Sequence, residues 1–263
     1  MNSVNSFTLR GKKALIAYPE ALYGYQIAEG FCEAGAEVFL CGPDPAKMKA
    51  MAAGLADKGH SVSVLMEYKP GTEEAAAKLA AEAKSKMGEV DAFVYVDPDY
   101  GFKGWDLEFE KLEENFKVTQ VGVILTVKNI GVLMAEKGNG AVLFITNYAA
   151  LAGCDIYNYE NSPEIFDRDF ALDYGFRKGS YVNYTRQAAG YLGEHGVRCN
   201  CIAFGPLEGS VPDGFGQAFI RHSHIKRIVS GQDVKDAAVF FASDASSYIT
   251  GVTLPVDGGY TAK

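Results

Sequence analysis

The chain has 263 residues, 48% of them hydrophobic, and it carries a formal net charge of −8 at pH 7. Nucleic acids and anionic membrane surfaces repel an acidic chain, so neither is expected as a partner. The five cysteines form no C-x-x-C pair and are odd in number, which favours buried thiols in a reducing compartment over disulfides. We expect no leader peptide and no run of membrane-spanning length. The length and the lack of a linker predict one cytoplasmic domain over residues 1–263.

Short apolar runs alternate with stretches of helical periodicity along the chain. The predicted strands cover residues 13–17, 37–41, 61–66, 92–96 and 141–145. The predicted helices cover residues 24–34, 46–58, 73–86 and about 109–135. Continuous apolar strands that alternate with helices are typical of βαβ units, in which helices cover both faces of a parallel sheet. The sequence therefore predicts a doubly wound α/β fold with a mainly parallel sheet of about seven strands.

Parallel sheets bind ligands beyond the carboxyl ends of their strands, which defines where site residues should lie. The positions that meet this condition directly follow Ala17, Cys41, Val96, Ile145 and Ile202. Asp97 is one of them, and it either faces the ligand or caps the turn that it forms with Pro98. His222 and His224 form an H-x-H pair without a third ligand at helical spacing, so no metal site is expected.

Tyr174 and Lys178 stand four residues apart in the chain. On a helix this spacing brings both side chains to one face, one turn apart. A nearby ammonium favours the phenolate and so lowers the pKa of the tyrosine. A tyrosine that titrates near neutral pH can act as a general acid or base. Taken alone, the spacing favours two surface residues that happen to be neighbours.

The carboxyl-terminal part of the chain favours a catalytic role for Tyr174 and Lys178. It carries, in order, the segments HGVRCNCIAFGP at 195–206, GQDV at 231–234, FFASD at 240–244, YITG at 248–251 and VDGG at 256–259. With these segments the chain resembles the short-chain dehydrogenase/reductase family along nearly its whole length. In the register that they define, Tyr174 and Lys178 fall on the family's Y-x-x-x-K pair.

The resemblance implies a Rossmann-type fold and an oxidoreductase that acts on an alcohol or carbonyl of a small or medium organic substrate. It implies that Tyr174 exchanges a proton with the substrate oxygen, and that Lys178 lowers the tyrosine pKa and holds the nicotinamide ribose. Asn147 stands where the family has its serine, and its amide can still donate a hydrogen bond to a carbonyl. Thr119 stands where the family has an asparagine that holds a water. For Asn147 and Thr119 a structural role stays open.

The glycine-rich turn of the family, T-G-x-x-x-G-x-G, is largely lost. Residues 17–24 read AYPEALYG, so Tyr18 and Leu22 replace glycines, while Glu20 adds negative charge near the expected phosphates. Either the cofactor binds differently or it is absent. Asp44, with no adjacent arginine, gives a slight preference for NAD over NADP. The positions expected to contact the cofactor are Ala17, Tyr18, Leu22, Tyr23, Gly24, Gly42, Val96, Asp97, Tyr174, Lys178, Gly205 and Leu207.

An insertion at about 154–170 lengthens the spacing between Asn147 and Tyr174 beyond that of the family. Its aromatic and acidic composition is typical of a lid over the substrate, or of a solvated or subunit-contact loop. The retained carboxyl-terminal segments favour a homotetramer or a homodimer.

Two other functions stay open. One is a non-redox enzyme similar to the halohydrin dehalogenases, which fill the nicotinamide space with aromatic side chains and bind an anion there. Tyr18, Leu22 and Tyr23 resemble that replacement, but those enzymes have an arginine at the position of Lys178 and a serine that this chain lacks. The other is a catalytically silent subunit that pairs with an active homologue.

Overall fold

The computed structural model describes residues 3–98, 104–106, 108–166 and 171–262, and it confirms the predicted parallel sheet. The strands are β1 (Lys13–Ala17), β2 (Glu37–Gly42), β3 (Val62–Glu67), β4 (Ala92–Val96), β5 (Gly140–Asn147), β6 (Val197–Phe204) and β7 (Thr253–Val256). They form one seven-stranded sheet in the order β3-β2-β1-β4-β5-β6-β7, and every neighbouring pair is parallel.

The helices lie between the strands in chain order, and α1 to α5 match the four helices that the periodicity predicts. They are α1 (Gly24–Glu33), α2 (Pro45–Ala56), α3 (Glu73–Met87), α4 (Phe109–Phe116), α5 (Gly122–Lys137), α6 (Tyr174–Gly193), α7 (Asp213–His222) and α8 (Gly231–Ala242). Strands β1 and β4 to β6 are buried along almost their whole length, because helices cover both faces of the sheet and exclude water from the apolar side chains.

A π-helical turn, Lys117–Val121, joins α4 to α5 into one run, Phe109–Lys137. By length and composition alone, this run of 29 residues is apolar enough to cross a membrane. In its most apolar stretch of 18 residues, 44% is buried inside the protein. Core helices that never meet a lipid satisfy the same criterion. The expectation that no run reaches such a length is wrong in this respect, because Lys128 is the one charged residue between Lys117 and Glu136.

The carboxyl ends of the central strands form a crevice where the strand order reverses, between β1 and β4. The register pairs Ala17 with both Cys41 and Tyr95, and Val96 with Ile145, so these strands end at the same edge of the sheet. A crevice of this kind is where doubly wound sheets bind ligands.

The insertion is folded onto the protein over its described part, residues 154–166. It forms two 3₁₀ turns, Ile156–Tyr159 and Pro163–Ile165. Tyr159 is buried with its ring centroid 5.1 Å from that of Phe215 in α7, and Asn158 donates a hydrogen bond of 2.8 Å to the hydroxyl of Tyr260. This part of the insertion therefore braces α7. The remainder of the predicted insertion, 167–170, lies outside the described residues.

Candidate active site

A pocket of about 70 Å³ opens at the carboxyl edge of the sheet. Of the residues predicted for the site, Leu22, Tyr23, Asp97, Asn147, Tyr174 and Lys178 line it. An apolar wall that was not predicted is contributed by Tyr148, Val211 and Phe215. No sequence signal marks this wall, because apolar residues in a loop and in a short helix look like ordinary core residues.

Tyr174 and Asn147 are hydrogen-bonded inside this pocket. Tyr174 is the first residue of α6 and is 7% exposed, and its phenol oxygen accepts a bond of 2.8 Å from Nδ2 of Asn147. Oδ1 of Asn147 accepts the backbone N–H of Ala149 at 3.1 Å. That second bond fixes the amide orientation, because only the amide nitrogen can then face the phenol. Asn147 thus satisfies the backbone after β5 and also presents donors to the pocket.

Lys178 lies one helical turn from Tyr174, as the spacing predicts. Its Nζ is 5.3 Å from the centroid of the Tyr174 ring. The same ammonium forms a buried ion pair with the carboxylate of Asp97, which follows β4 directly. Asp97 lines the pocket, and its buried carboxylate is held by cations of α6, a contact that neither of its two predicted roles includes. The ammonium of Lys178 has three N–H donors, and it donates one of them to the Asp97 carboxylate.

Asp97 is also the acceptor for two further buried donors of α6. Nη1 of Arg177 lies 3.2 Å from Oδ1 of Asp97, and the hydroxyl of Tyr181 donates to the same oxygen at 3.3 Å. Burial and the charge of Asp97 raise the pKa of Tyr181 well above its ordinary value, so Tyr181 stays protonated as a donor. A second carboxylate, Asp173, lies 3.7 Å from Nε of Arg177. Two cations therefore face two carboxylates beneath the pocket.

Arg177, Asp173 and Tyr181 were not predicted from the sequence. An aspartate and an arginine four residues apart are typical of an exposed helical ion pair, and nothing in the spacing reveals burial. The available signal was that Arg177 and Tyr181 share α6 with the Tyr174 and Lys178 pair, and that Asp173 directly precedes this helix.

Thr119 is not brought to Tyr174. It is buried in the π-helical turn, and its hydroxyl donates to the carbonyl of Asn115 at 2.8 Å. Its side chain lines a separate groove beside Tyr181 and Tyr184 instead of the pocket. The structure thus gives Thr119 a backbone-capping contact. Asn115 itself donates to the carboxylate of Asp173, next to Tyr174 in the chain.

The two tyrosines of the altered turn, Tyr18 and Tyr23, adopt a backbone that normally requires glycine. Their φ angles are 60° and 76°, in the left-handed region. The Tyr18 ring is buried against Tyr95, with centroids 5.6 Å apart. The Tyr23 ring packs 4.9 Å from that of Phe204, and its hydroxyl donates to the carbonyl of Gly205 at 2.9 Å. Both rings thus pack into the protein.

The remaining predicted cofactor positions surround this turn. Gly24 must be glycine, because a Cβ there would overlap the carbonyl of Pro19. Leu22, in contrast, is 41% exposed and stands at the rim of the pocket. The positions that do not themselves line the pocket are Ala17, Tyr18, Gly24, Gly42, Val96, Gly205 and Leu207.

The end of β2 differs from the expectation for Asp44. Its side chain accepts the backbone N–H groups of Ala46 at 3.1 Å and Lys47 at 3.0 Å, and so it caps α2. The carboxylate that lies over Gly42 instead belongs to Glu20, from the turn after β1. Among the described residues, no cluster of three or more His, Cys, Asp or Glu side chains could hold a metal ion.

The comparisons with known proteins agree with this architecture. A family model described as enoyl-(acyl carrier protein) reductase matches residues 23–261. Glucose 1-dehydrogenase from Gluconobacter oxydans is 28% identical over 261 residues, which cover 95% of this chain and 92% of that protein. The 7alpha-hydroxysteroid dehydrogenase of Escherichia coli K12 is 26% identical over 264 residues, which cover 98% of both chains.

The solved structures support the same fold. A gluconate 5-dehydrogenase from Burkholderia cenocepacia, solved with NADP and tartrate, has a TM-score of 0.84 and 20% identity, with all of both chains covered. The curated relatives are dehydrogenases and reductases, which confirms the prediction of an oxidoreductase of this type with a nicotinamide cofactor. Since one family model spans nearly the whole sequence, the chain belongs to the short-chain dehydrogenase/reductase family.

Proposed function

We propose that this protein interconverts a carbonyl and an alcohol on a small organic substrate with NAD(H), and that Tyr174 is the general acid and base. The observation that carries this proposal is the 2.8 Å hydrogen bond from Asn147 to the Tyr174 phenol oxygen inside the pocket. A phenol that accepts a hydrogen bond from an amide still carries its own O–H proton, and it can donate that proton to a substrate oxygen.

The roles follow from the donors that meet in the pocket. In the reducing direction Tyr174 transfers its phenol proton to the substrate oxygen. The resulting phenolate is stabilised by the Asn147 N–H and by the ammonium of Lys178. The second N–H of Asn147 polarises the substrate carbonyl, in the place of the family's serine hydroxyl. A bound nicotinamide supplies the hydride in this direction and accepts it in the other.

The residues present fit a nicotinamide dinucleotide at two places. Lys178 shares one N–H with Asp97, and its other donors suit ribose hydroxyls. At the other end of the site, the buried carboxylate of Glu20 lies over Gly42 without a hydrogen-bond partner in another described residue. Leu22 lines the pocket at a position where the family has a glycine.

Charge supports NAD in preference to NADP. Glu20 and Asp44 both lie at the end of β2, where a 2′-phosphate would have to bind. Lys47 is the nearby cation, and it is 3.7 Å from the Asp44 carboxylate that it faces.

The pocket supports a small substrate. Its volume of about 70 Å³ is well below the roughly 300 Å³ at which pockets for drug-sized ligands begin. Tyr148 and Phe215 give it an aromatic wall, and Phe215 is held by Tyr159 of the insertion. We therefore propose that the insertion limits the size of the substrate.

The assembly and the location are also proposed. Large apolar side chains are exposed on α5 and α6, among them Ile124, Phe176 and Tyr191. A second copy of the chain would cover these side chains, which supports a homodimer or homotetramer. Light scattering of the purified protein would test this assembly.

All five cysteines are free, which supports a reducing, cytoplasmic location.

The proposed reaction is tested by assaying NADH oxidation with a panel of small ketones and aldehydes. Turnover by the native protein, with loss of turnover but unchanged melting temperature in Tyr174→Phe, is expected. Full turnover in that variant would overturn the role of Tyr174. Saturable stabilisation by halide but not by either dinucleotide would favour the dehalogenase-like function, and no response to any of these ligands would favour a silent subunit.

A further inference from the structure

We propose that Glu20 is the residue that recognises the adenosine ribose of NAD and excludes NADP. This inference rests on the proposed binding of a dinucleotide. The sequence suggests Asp44 for the task, because acidic residues that recognise the ribose 2′-hydroxyl follow the second strand. In the structure a carboxylate from the first turn reaches that place instead.

The position of Glu20 is set by the neighbouring strands. β1 and β2 pair directly, with Ala17 opposite Cys41, so the turn after β1 borders the end of β2. A Cβ added to Gly42 would lie 2.6 Å and 2.8 Å from the two carboxylate oxygens of Glu20. The carboxylate therefore occupies the space that a side chain at residue 42 would take.

No other described residue donates a hydrogen bond to the carboxylate of Glu20. Both oxygens are buried, and neither has a hydrogen-bond partner in another described residue. Burial, together with the charge of Asp44, raises the pKa of Glu20, while its own backbone N–H and Lys47 partly offset that rise. A buried acceptor without a donor is costly, so a ligand that brings hydroxyl donors would be favoured here.

Asp44 is already committed elsewhere. Its Oδ1 accepts two backbone N–H groups at the start of α2, which is the ordinary work of a helix cap. Glu20 has no such structural duty. The adjacent hydroxyls of a ribose can donate to its two oxygens, whereas a 2′-phosphate would bring like charge against the Glu20 carboxylate.

The test is a fluorescence titration with NADH and with NADPH, reported as the ratio of the two dissociation constants. The native protein should bind NADH at least about 100-fold more tightly, since like-charge contacts of this kind cost several kcal/mol. Glu20→Gln keeps the size of the side chain and removes its charge. It should reduce the ratio to below about tenfold, mainly by weakening NADH binding.

Two further variants separate charge from folding. Asp44→Ser keeps a capping hydroxyl but removes the other carboxylate, and it should leave the ratio within about threefold of the native value. Gly42→Ala keeps Glu20 but places a methyl group where its carboxylate lies, and it should reduce the ratio as Glu20→Gln does. Melting temperatures would show that each variant is folded.

The outcomes distinguish this inference from the proposed function. If the native protein binds neither dinucleotide, the proposed function fails. If it binds NADH but Glu20→Gln leaves the ratio unchanged, only the role of Glu20 is overturned. A loss of selectivity in Asp44→Ser alone would assign the role to Asp44.

Discussion

Replacing Asp97 by asparagine should destabilise the protein strongly. Asp97 is the shared acceptor of Lys178, Arg177 and Tyr181, and all four side chains are buried. The substitution keeps the shape of the side chain but leaves two buried cations against one remaining carboxylate, Asp173. Breaking a buried ion pair from one side costs about 3–5 kcal/mol. For a chain of this size, that corresponds to a fall in Tm of roughly 6–20 °C.

The assay is equilibrium unfolding in urea, followed by circular dichroism, with thermal unfolding as a second measure. Glu136→Gln is the matched control, because it breaks the exposed 3.1 Å pair with Lys84. That variant should lose at most about 1 kcal/mol.

A double variant isolates the interaction of Asp97 with Lys178. If Lys178→Met is added to Asp97→Asn, one unpaired cation is removed, so the combined loss should be smaller than the sum of the two single losses. A loss below about 1 kcal/mol in Asp97→Asn, no greater than that of the exposed control, would refute a buried charge network beneath the pocket.

Substitutions at three other residues give independent tests. Tyr174→Phe should lower kcat by about 10²–10⁴-fold, the usual contribution of a general acid, and a smaller loss would count against its role. Asn147→Ala should lower kcat by about 10²–10³-fold, whereas Asn147→Ser should retain more activity because it restores a donor; equal losses in the two variants would contradict the donor role. Because burial raises the pKa of Glu20, the contribution of this one side chain to stability should fall as the pH rises above the ordinary value of 4.5, since the folded state then has to bury a carboxylate that the unfolded state ionises freely. At pH 7 the Glu20→Gln variant should therefore melt at a higher temperature than the native protein, and below pH 4.5 this difference should disappear. Equal melting temperatures of the two proteins at pH 7 would argue against a buried carboxylate.

The sheet and its site could be predicted from sequence because both depend on simple patterns. Apolar runs such as 92–96 have few alternatives to a buried strand, and the predicted strand 61–66 differs from the observed Val62–Glu67 by one residue at each end. The positions that follow those strands then converge by geometry, which is why Asp97 was found, whereas Asn147 was found through the resemblance to the family.

Contacts that depend on side-chain direction could not be predicted. Tyr18 and Tyr23 look like bulky obstacles to a cofactor, but a left-handed backbone turns their rings inward. Helix α7 contains Gly214 and Gly216, which disfavour a helix in sequence, yet a Cβ at residue 214 would overlap the carbonyl of Asn161. That close approach between the insertion and α7 exists only in the folded protein.

The proposed NAD(H)-dependent reaction is tested most directly by calorimetric titration of the native protein with NADH. We predict saturable binding of one NADH per chain, weakened in Lys178→Met, because Lys178 offers its remaining N–H donors to the ribose. Absence of heat at millimolar NADH, together with an unchanged melting temperature, would contradict the proposed function.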